Sequence, residues 1–311
     1  MIGRRVAVAV LSLGAGVAGL GLATIQATPA ASAPVFVIGR AHAEVTPVLT
    51  GDEPIFILVL GSDARPGTPI EEGLCDSIHI LGFNPADRRA SLVGIPRDSY
   101  VPLSTGGTNK INSAMPQGGP AAMVETVENL TGITFDYYAL TGFGGMTEIV
   151  NAIGGLDIDV PYSFQGFAGT SFEAGEQTFS GAQALEFSRE RKELARGDFD
   201  RSMNQGRVLL AALAQFREQF ADDPATLFRW LGIGLRNVDT DIPLSELLSL
   251  AFTATEMPPK RVTNLVAVGS IGSANGLSVV NLPDPHPVLQ DVANDGYVKA
   301  GDIPPEAQPA D

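Results

Sequence analysis

The chain opens on a nearly unbroken apolar run over 6–25, preceded by Arg4 and Arg5. At 1.5 Å per residue such a run is long enough to cross roughly 30 Å of hydrocarbon, and a core helix is seldom apolar all round at a terminus. The pattern predicts a signal peptide or membrane anchor over 1–33, its positive end cytoplasmic and the rest of the chain extracytoplasmic. Ala31-Ser32-Ala33 and Ala41-His42-Ala43 both have the form of a cleavage site, so cleaved leader and retained anchor both stay open. Residues 34–50 are rich in Ala, Pro and other small residues without sustained period, and predict a linker.

From 51 onward short apolar runs alternate with helical patterns. Strands are predicted over 55–60, 76–83 and 90–95, the last two joined at Asn84-Pro85-Ala86-Asp87 as a hairpin. A helix over 118–130, a strand over 133–140 and a helix over 144–153 come next, closed by Gly132 and Gly154-Gly155. Leu156-Asp157-Ile158-Asp159-Val160 alternates like a half-buried strand, which gives both aspartates a structural role on its wet face. Ser180 starts a helix, a longer one covers 201–220, and a helix over 244–252 precedes strands over 262–268 and 277–282. This order predicts an α/β fold, a layered sheet with helices on both faces, over 51–297. The Pro-rich, acidic stretch 298–311 predicts a disordered tail.

Charge and rare residues narrow the chemistry. The net charge is −15 and spread along the chain, so nucleic acid is not a partner and any anionic substrate must meet local cations. Cys75 is the only cysteine, which excludes a disulfide framework and a multi-cysteine metal site; a lone cysteine is more often buried than reactive. His42, His79 and His286 form no metal motif, there is no Gly-x-Ser-x-Gly elbow, and His79 lies on the opposite strand face from Asp76.

What remains is a set of carboxylates and arginines. Asp63 lies just past the C-terminal end of the strand over 55–60, and the 76–83/90–95 hairpin returns Arg97 to the edge where Asp76 begins. Two carboxylates at a strand edge suit one hard cation such as Mg²⁺ that keeps waters or phosphate oxygens. Arg65, Arg97, Arg189, Arg191 and Arg201 supply guanidinium forks for the oxygens of a pyrophosphate. Arg201 and Gln205, one turn apart, share a helix face, from which Arg207 points away. The competing reading of Arg189 and Arg191 is a solvated segment paired with Glu186, Glu190 and Glu193.

Gly61-Ser62-Asp63-Ala64-Arg65, Cys75-Asp76-Ser77, Ile95-Pro96-Arg97-Asp98-Ser99-Tyr100 and Asn109-Lys110-Ile111-Asn112 occur in an order that resembles the LytR-CpsA-Psr family. Ile153-Gly154-Gly155-Leu156-Asp157, Gly181-Ala182-Gln183-Ala184-Leu185 and Gly197-Asp198-Phe199-Asp200-Arg201 with Gln205 are similar to its later blocks. The resemblance implies a membrane anchor and a three-layer α/β/α domain with a mixed central sheet and an apolar groove for a polyprenyl tail. It further implies a Mg²⁺-dependent transferase that moves a glycan from a polyprenyl-pyrophosphate carrier to a peptidoglycan hydroxyl. By position Asp63 and Asp76 match the family's Mg²⁺ ligands. Arg97, Arg189, Arg191, Arg201 and Gln205 match its pyrophosphate-binding and catalytic side chains, and Arg65 and Asp198 match supporting positions. Asp98 and Asp198 are both candidates for the general base.

Two residues depart from the family pattern: Cys75 stands where arginine is frequent, and Asp200 where glycine is usual. One cation fewer and one carboxylate more are expected to weaken phosphate binding unless Arg65 or Arg196 compensates. The alternative function is therefore a non-catalytic polyprenyl-lipid or wall-glycan binding protein.

Overall fold

A computed structural model describes residues 36–40, 53–65, 67–235, 238–240 and 244–308. The apolar run over 6–25 lies outside them, and among the described residues no helix is long and apolar enough to cross a membrane. In chain order the elements are Phe36–Arg40 (β1), Ile55–Ser62 (β2), Cys75–Asn84 (β3), Arg89–Gly94 (β4), Tyr100–Pro102 (β5), Thr108–Lys110 (β6), Ala114–Thr131 (α1), Tyr137–Gly142 (β7) and Phe143–Ala152 (α2). Leu156–Val160 (β8), Phe164–Gln165 (β9), Ser171–Phe172 (β10), Gly175–Phe179 (β11), Gly181–Arg189 (α3), Asp198–Asp222 (α4) and Thr226–Leu235 (α5) come next. Val238–Thr240 (β12), Leu244–Glu256 (α6), Val262–Val266 (β13), Ser270–Ala274 (β14), Leu277–Asn281 (β15) and Pro287–Asp295 (α7) complete the order.

The central sheet runs β12-β1-β7-β2-β3-β4-β13. It is mixed: β2 pairs antiparallel with β3 and parallel with β7, while β4 pairs antiparallel with β3 and parallel with β13. Strand parity sorts the two faces. Leu58, Leu60, Ile78, Ile80 and Val93 point to one side and pack with Met123 and Val127 of α1 and Val288 and Val292 of α7. Each such buried aliphatic side chain contributes about 1.5–3 kcal/mol. Leu81, Phe83, Ala90 and Leu92 point to the other side, against Leu209, Leu210 and Leu213 of α4. The result is the expected three-layer α/β/α arrangement.

Three expectations are corrected. The segment over 34–50 is not a spacer throughout, because β1 is inserted between β7 and β12; its Phe-Val-Ile core is β-forming despite the small residues around it. The tail after 297 is not loose up to residue 308: Val298 and Ala307 join the core on the α1 side, and Pro305–Ala307 forms a turn of 3₁₀ helix. The helix expected over 118–130 starts earlier, at Ala114, but is broken at Gly118 and Gly119, whose backbones are non-helical.

Candidate functional site

The site forms where β2 ends, β3 begins and α4 crosses them. Asp63 donates its backbone N–H to the Leu74 carbonyl at 3.0 Å, and its Oδ1 accepts the Leu74 N–H at 2.7 Å. This clasp closes the intervening loop and holds Asp63 beside the start of β3. Past the end of β4, Arg97 donates from Nη1 to Asp76 Oδ2 at 2.5 Å, the meeting expected from the hairpin. Gly94 admits the opposing helix, since a methyl group there would collide with Ser202 Oγ. His79 is fully buried at the same contact, its Nε2 donating to the Ser202 carbonyl at 3.1 Å while Ser77 Oγ lies 3.2 Å from Nδ1. Burial lowers its pKa to about 4. Gln205 then donates to the carbonyls of Asp76 and Ser188 at 3.2 and 3.1 Å, joining β3 to α3.

These elements enclose a cavity of about 310 Å³ lined by Asp76, Arg97, Arg189, Arg191, Arg201 and Gln205. Asp198, at the first turn of α4, lies 2.8 Å from Arg201 Nη2 and 3.7 Å from Arg97 Nε. Burial raises its carboxyl pKa even though both arginines oppose that shift. Burial lowers the Arg201 pKa against the pull of Asp198. At Arg97 burial has the same tendency, but the hydrogen bond and charge of Asp76 outweigh it and the pKa is raised. Asp76 Oδ1, Arg97 Nε, Arg201 Nε and Asp198 Oδ2 are buried without a hydrogen-bond partner. Each such atom costs about 1–3 kcal/mol, so the cavity favours a ligand that brings anionic oxygens to the arginines. Asp76 Oδ1, buried without a partner, is an oxygen of the kind a water-retaining hard cation takes, while Asp63 stands at the adjoining end of β2, outside the cavity lining. Among the described residues no group of three or more metal-ligating side chains occurs.

Arg189 and Arg191 are not the glutamate-paired segment of the competing reading. Among the described residues neither forms an ion pair; Glu190 Oε1 instead accepts the backbone N–H groups of Arg191 and Lys192 at 2.7 and 2.8 Å. The Arg189 guanidinium lies over two rings, 4.3 Å from the Phe143 centroid and 5.2 Å from that of Phe167. Phe167 is exposed, and buried Glu186 holds its turn by accepting from Ala168 N and Thr170 Oγ1 at 2.6 and 2.5 Å. No periodic pattern along the chain signals this aromatic support.

The remaining candidates divide. Arg65 is exposed on the loop beyond Asp63 and lines no part of the cavity. Asp98 faces Lys110 at 2.9 Å, outside the charged cavity. Arg207 donates to Asn204 Oδ1 at 2.8 Å and also lies outside it. The two departures leave the cavity intact. Cys75 is buried, with its thiol pKa pushed up by desolvation. Asp200 is paired at 2.7 Å with Arg196, one of the two compensating cations expected, and lies outside the cavity lining.

A second, apolar cavity of about 260 Å³ lies between the sheet and helices α4 and α6, walled by Ile57, Leu81, Leu92, Leu209, Leu213 and Met257 among others. Val59 and Leu209 line both cavities, so the apolar one adjoins the charged one.

The model of the LytR_cpsA_psr family matches residues 30–288. The chain is 32% identical over 227 residues to the polyisoprenyl-teichoic acid–peptidoglycan teichoic acid transferase TagV of Bacillus subtilis (strain 168), covering 70% of this chain and 57% of that protein. It is 37% identical over 169 residues to the corresponding transferase TagU of Bacillus mycoides (strain KBAB4), covering 54% of each. The chain thus spans little more than half the length of these curated relatives. The crystal structure of B. subtilis TagV superposes with a TM-score of 0.66 at 28% identity, covering 80% of this chain and 100% of that one. With the family match extending over most of its length, this chain belongs to the LytR-CpsA-Psr family.

Proposed function

We propose that the protein is an extracytoplasmic, membrane-associated phosphotransferase. It moves a phosphate-linked glycan from a polyprenyl-pyrophosphate carrier to a sugar hydroxyl of peptidoglycan. The observation that carries this reading is the shared wall at Val59 and Leu209, where a chamber lined by four arginines adjoins an apolar one. A lipid pyrophosphate has the matching two halves, and the relatives' names specify a polyisoprenyl-linked donor and peptidoglycan.

Arg97, Arg189, Arg191 and Arg201 hold the pyrophosphate oxygens, and the rings of Phe143 and Phe167 keep Arg189 in place. Leu209 and Leu213 sheathe the prenyl chain and exclude water from one side. When bound at Asp63 and Asp76, Mg²⁺ would supply further neutralisation of pyrophosphate charge. Asp198 is the better placed general base: burial raises its carboxyl pKa and its Oδ2 has no hydrogen-bond partner, while Asp98 lies outside the charged chamber and is engaged by Lys110.

The test incubates purified protein with Mg²⁺, a synthetic polyprenyl-pyrophosphate saccharide and a peptidoglycan oligosaccharide, and follows polyprenyl phosphate by mass spectrometry. Arg97→Ala and Arg201→Ala should each lower kcat by about 10²-fold or more, with lipid binding far less affected. A wild type that binds the lipid and releases no polyprenyl phosphate would instead establish the non-catalytic alternative.

A further inference from the structure

One face of α4 orders the cavities. Leu213, Leu209, Gln205, Arg201 and Asp198 recur at intervals of three or four, so they form a single stripe about 22 Å long at 1.5 Å per residue. Leu213 and Leu209 wall the apolar chamber, while Leu209, Gln205 and Arg201 wall the charged one. Asp198 and Phe199, at the other end of the stripe, wall a third cavity, an open groove of about 680 Å³. Its remaining walls include Asp98, Ile271 and Ser278, and Arg191 lines both it and the charged chamber.

This order constrains phosphoryl transfer. The attacking and leaving oxygens stand roughly in line through phosphorus. With the prenyl chain at the Leu209–Leu213 end, the leaving oxygen faces that end and the attacking oxygen arrives from the Asp198 end. We infer that the groove bounded by Asp98, Asp198, Ile271 and Ser278 is the acceptor subsite, which takes a neutral saccharide bearing the attacking hydroxyl. The assignment rests on the phosphotransferase reading and adds to it the place and class of the second substrate.

The groove's chemistry suits such a ligand. Ile271, 74% exposed on the β14–β15 hairpin, offers apolar surface to the C–H face of a sugar ring. Ser278 and the carboxylate of Asp98 offer hydrogen-bonding groups to its hydroxyls. Asp198 takes the hydroxyl proton as the new oxygen–phosphorus bond forms. The phosphorus–oxygen bond to the carrier breaks, and its electron pair leaves with polyprenyl phosphate.

Ser278→Trp, at an exposed hairpin position, adds bulk to the groove wall, and Ile271→Asp replaces one of its apolar groups with a charge. Leu277→Trp adds similar bulk on the same hairpin outside the groove. For Ser278→Trp and Ile271→Asp the KM for a soluble peptidoglycan oligosaccharide should rise at least tenfold, with the donor KM and water-driven donor cleavage within twofold of wild type. Leu277→Trp should change neither. Saturation-transfer NMR of the oligosaccharide on the intact protein should weaken in parallel. An unchanged acceptor KM overturns the assignment. An equal rise in donor KM overturns it too, by giving the groove to the donor's glycan. If the wild type binds the oligosaccharide at Ser278 but performs no transfer, the phosphotransferase reading fails while a saccharide groove stands.

Discussion

His79 makes the stability of this fold depend on pH in a way that reaches the site. Its ring is fully buried between β3 and α4, with both nitrogens at hydrogen-bonding distance from partners, Ser77 Oγ and the Ser202 carbonyl. Desolvation of the cation dominates and lowers its pKa from 6.5 to about 4. The unfolded chain therefore binds a proton that the folded chain refuses between those values. Stability is fully present above pH 6.5 and is lost as the pH falls toward 4. At 1.36 kcal/mol per pKa unit the whole loss is about 3 kcal/mol, of which about 2 kcal/mol has accrued by pH 5. Urea unfolding followed by circular dichroism at pH 7.5 and 5.0 measures it, with His79→Gln as the reference. Glutamine keeps a donor for the Ser202 carbonyl but does not titrate, so the variant's stability should fall by about 2 kcal/mol less across that interval. Equal losses in the two proteins would refute the assignment of the pH dependence to His79. Because Ser202 adjoins Arg201, protonation of His79 within the folded chain, which sets in only near pH 4, should loosen the start of α4 and reduce lipid-pyrophosphate binding there.

Other perturbations separate the remaining parts of the site. Leu213→Trp should fill the apolar chamber and raise the KM for long-chain lipid donors at least tenfold while leaving short-chain analogues little changed; kinetics on a chain-length series reads this directly. Arg196→Ala should leave the buried Asp200 carboxylate without its guanidinium and free the carbonyls of Glu306 and Gln308, lowering stability by about 2 kcal/mol, discounted for the partial exposure of Arg196; adding Asp200→Asn should recover much of the loss in urea unfolding. Phe167→Ala should remove one ring from Arg189 and raise the donor KM about two- to fivefold, an exposed cation–π contact being worth about 0.5–1 kcal/mol.

Legibility from sequence tracks the range of the interactions involved. Asp76 and Arg97 are predictable neighbours because a hairpin returns the chain within about twenty residues and strand parity fixes which ends meet. Arg201 and Gln205 are predictable because one helical turn aligns them. β1 is hidden by Ala and Pro on either side, and its place in the sheet depends only on partners far along the chain. Arg65 lies in a charged block beside Asp63, but the clasp that fixes Asp63 turns the loop outward after it. The buried state of His79 and the pairing of Asp200 with Arg196 depend on how closely α4 approaches the sheet and how the loop before it turns back. No periodicity records either.

The acidic balance of the chain and its basic chamber are compatible because electrostatics here acts at two ranges. At physiological ionic strength the Debye length is about 8 Å, so most of the surface carboxylates behind the net charge of −15 are screened from a ligand in the chamber. Arg97 and Arg201 are largely withdrawn from solvent and are not screened to the same degree. Their positive charges are kept inside the fold by Asp76 and Asp198, each of which also leaves an oxygen without a hydrogen-bond partner. Those same carboxylates have different tasks in the proposed reaction: Asp76 would hold a cation when one is bound, and Asp198 would take the proton of the incoming hydroxyl. In the proposed reaction the charge pairs that make burial of the arginines tolerable would thus also separate a donor side from an acceptor side.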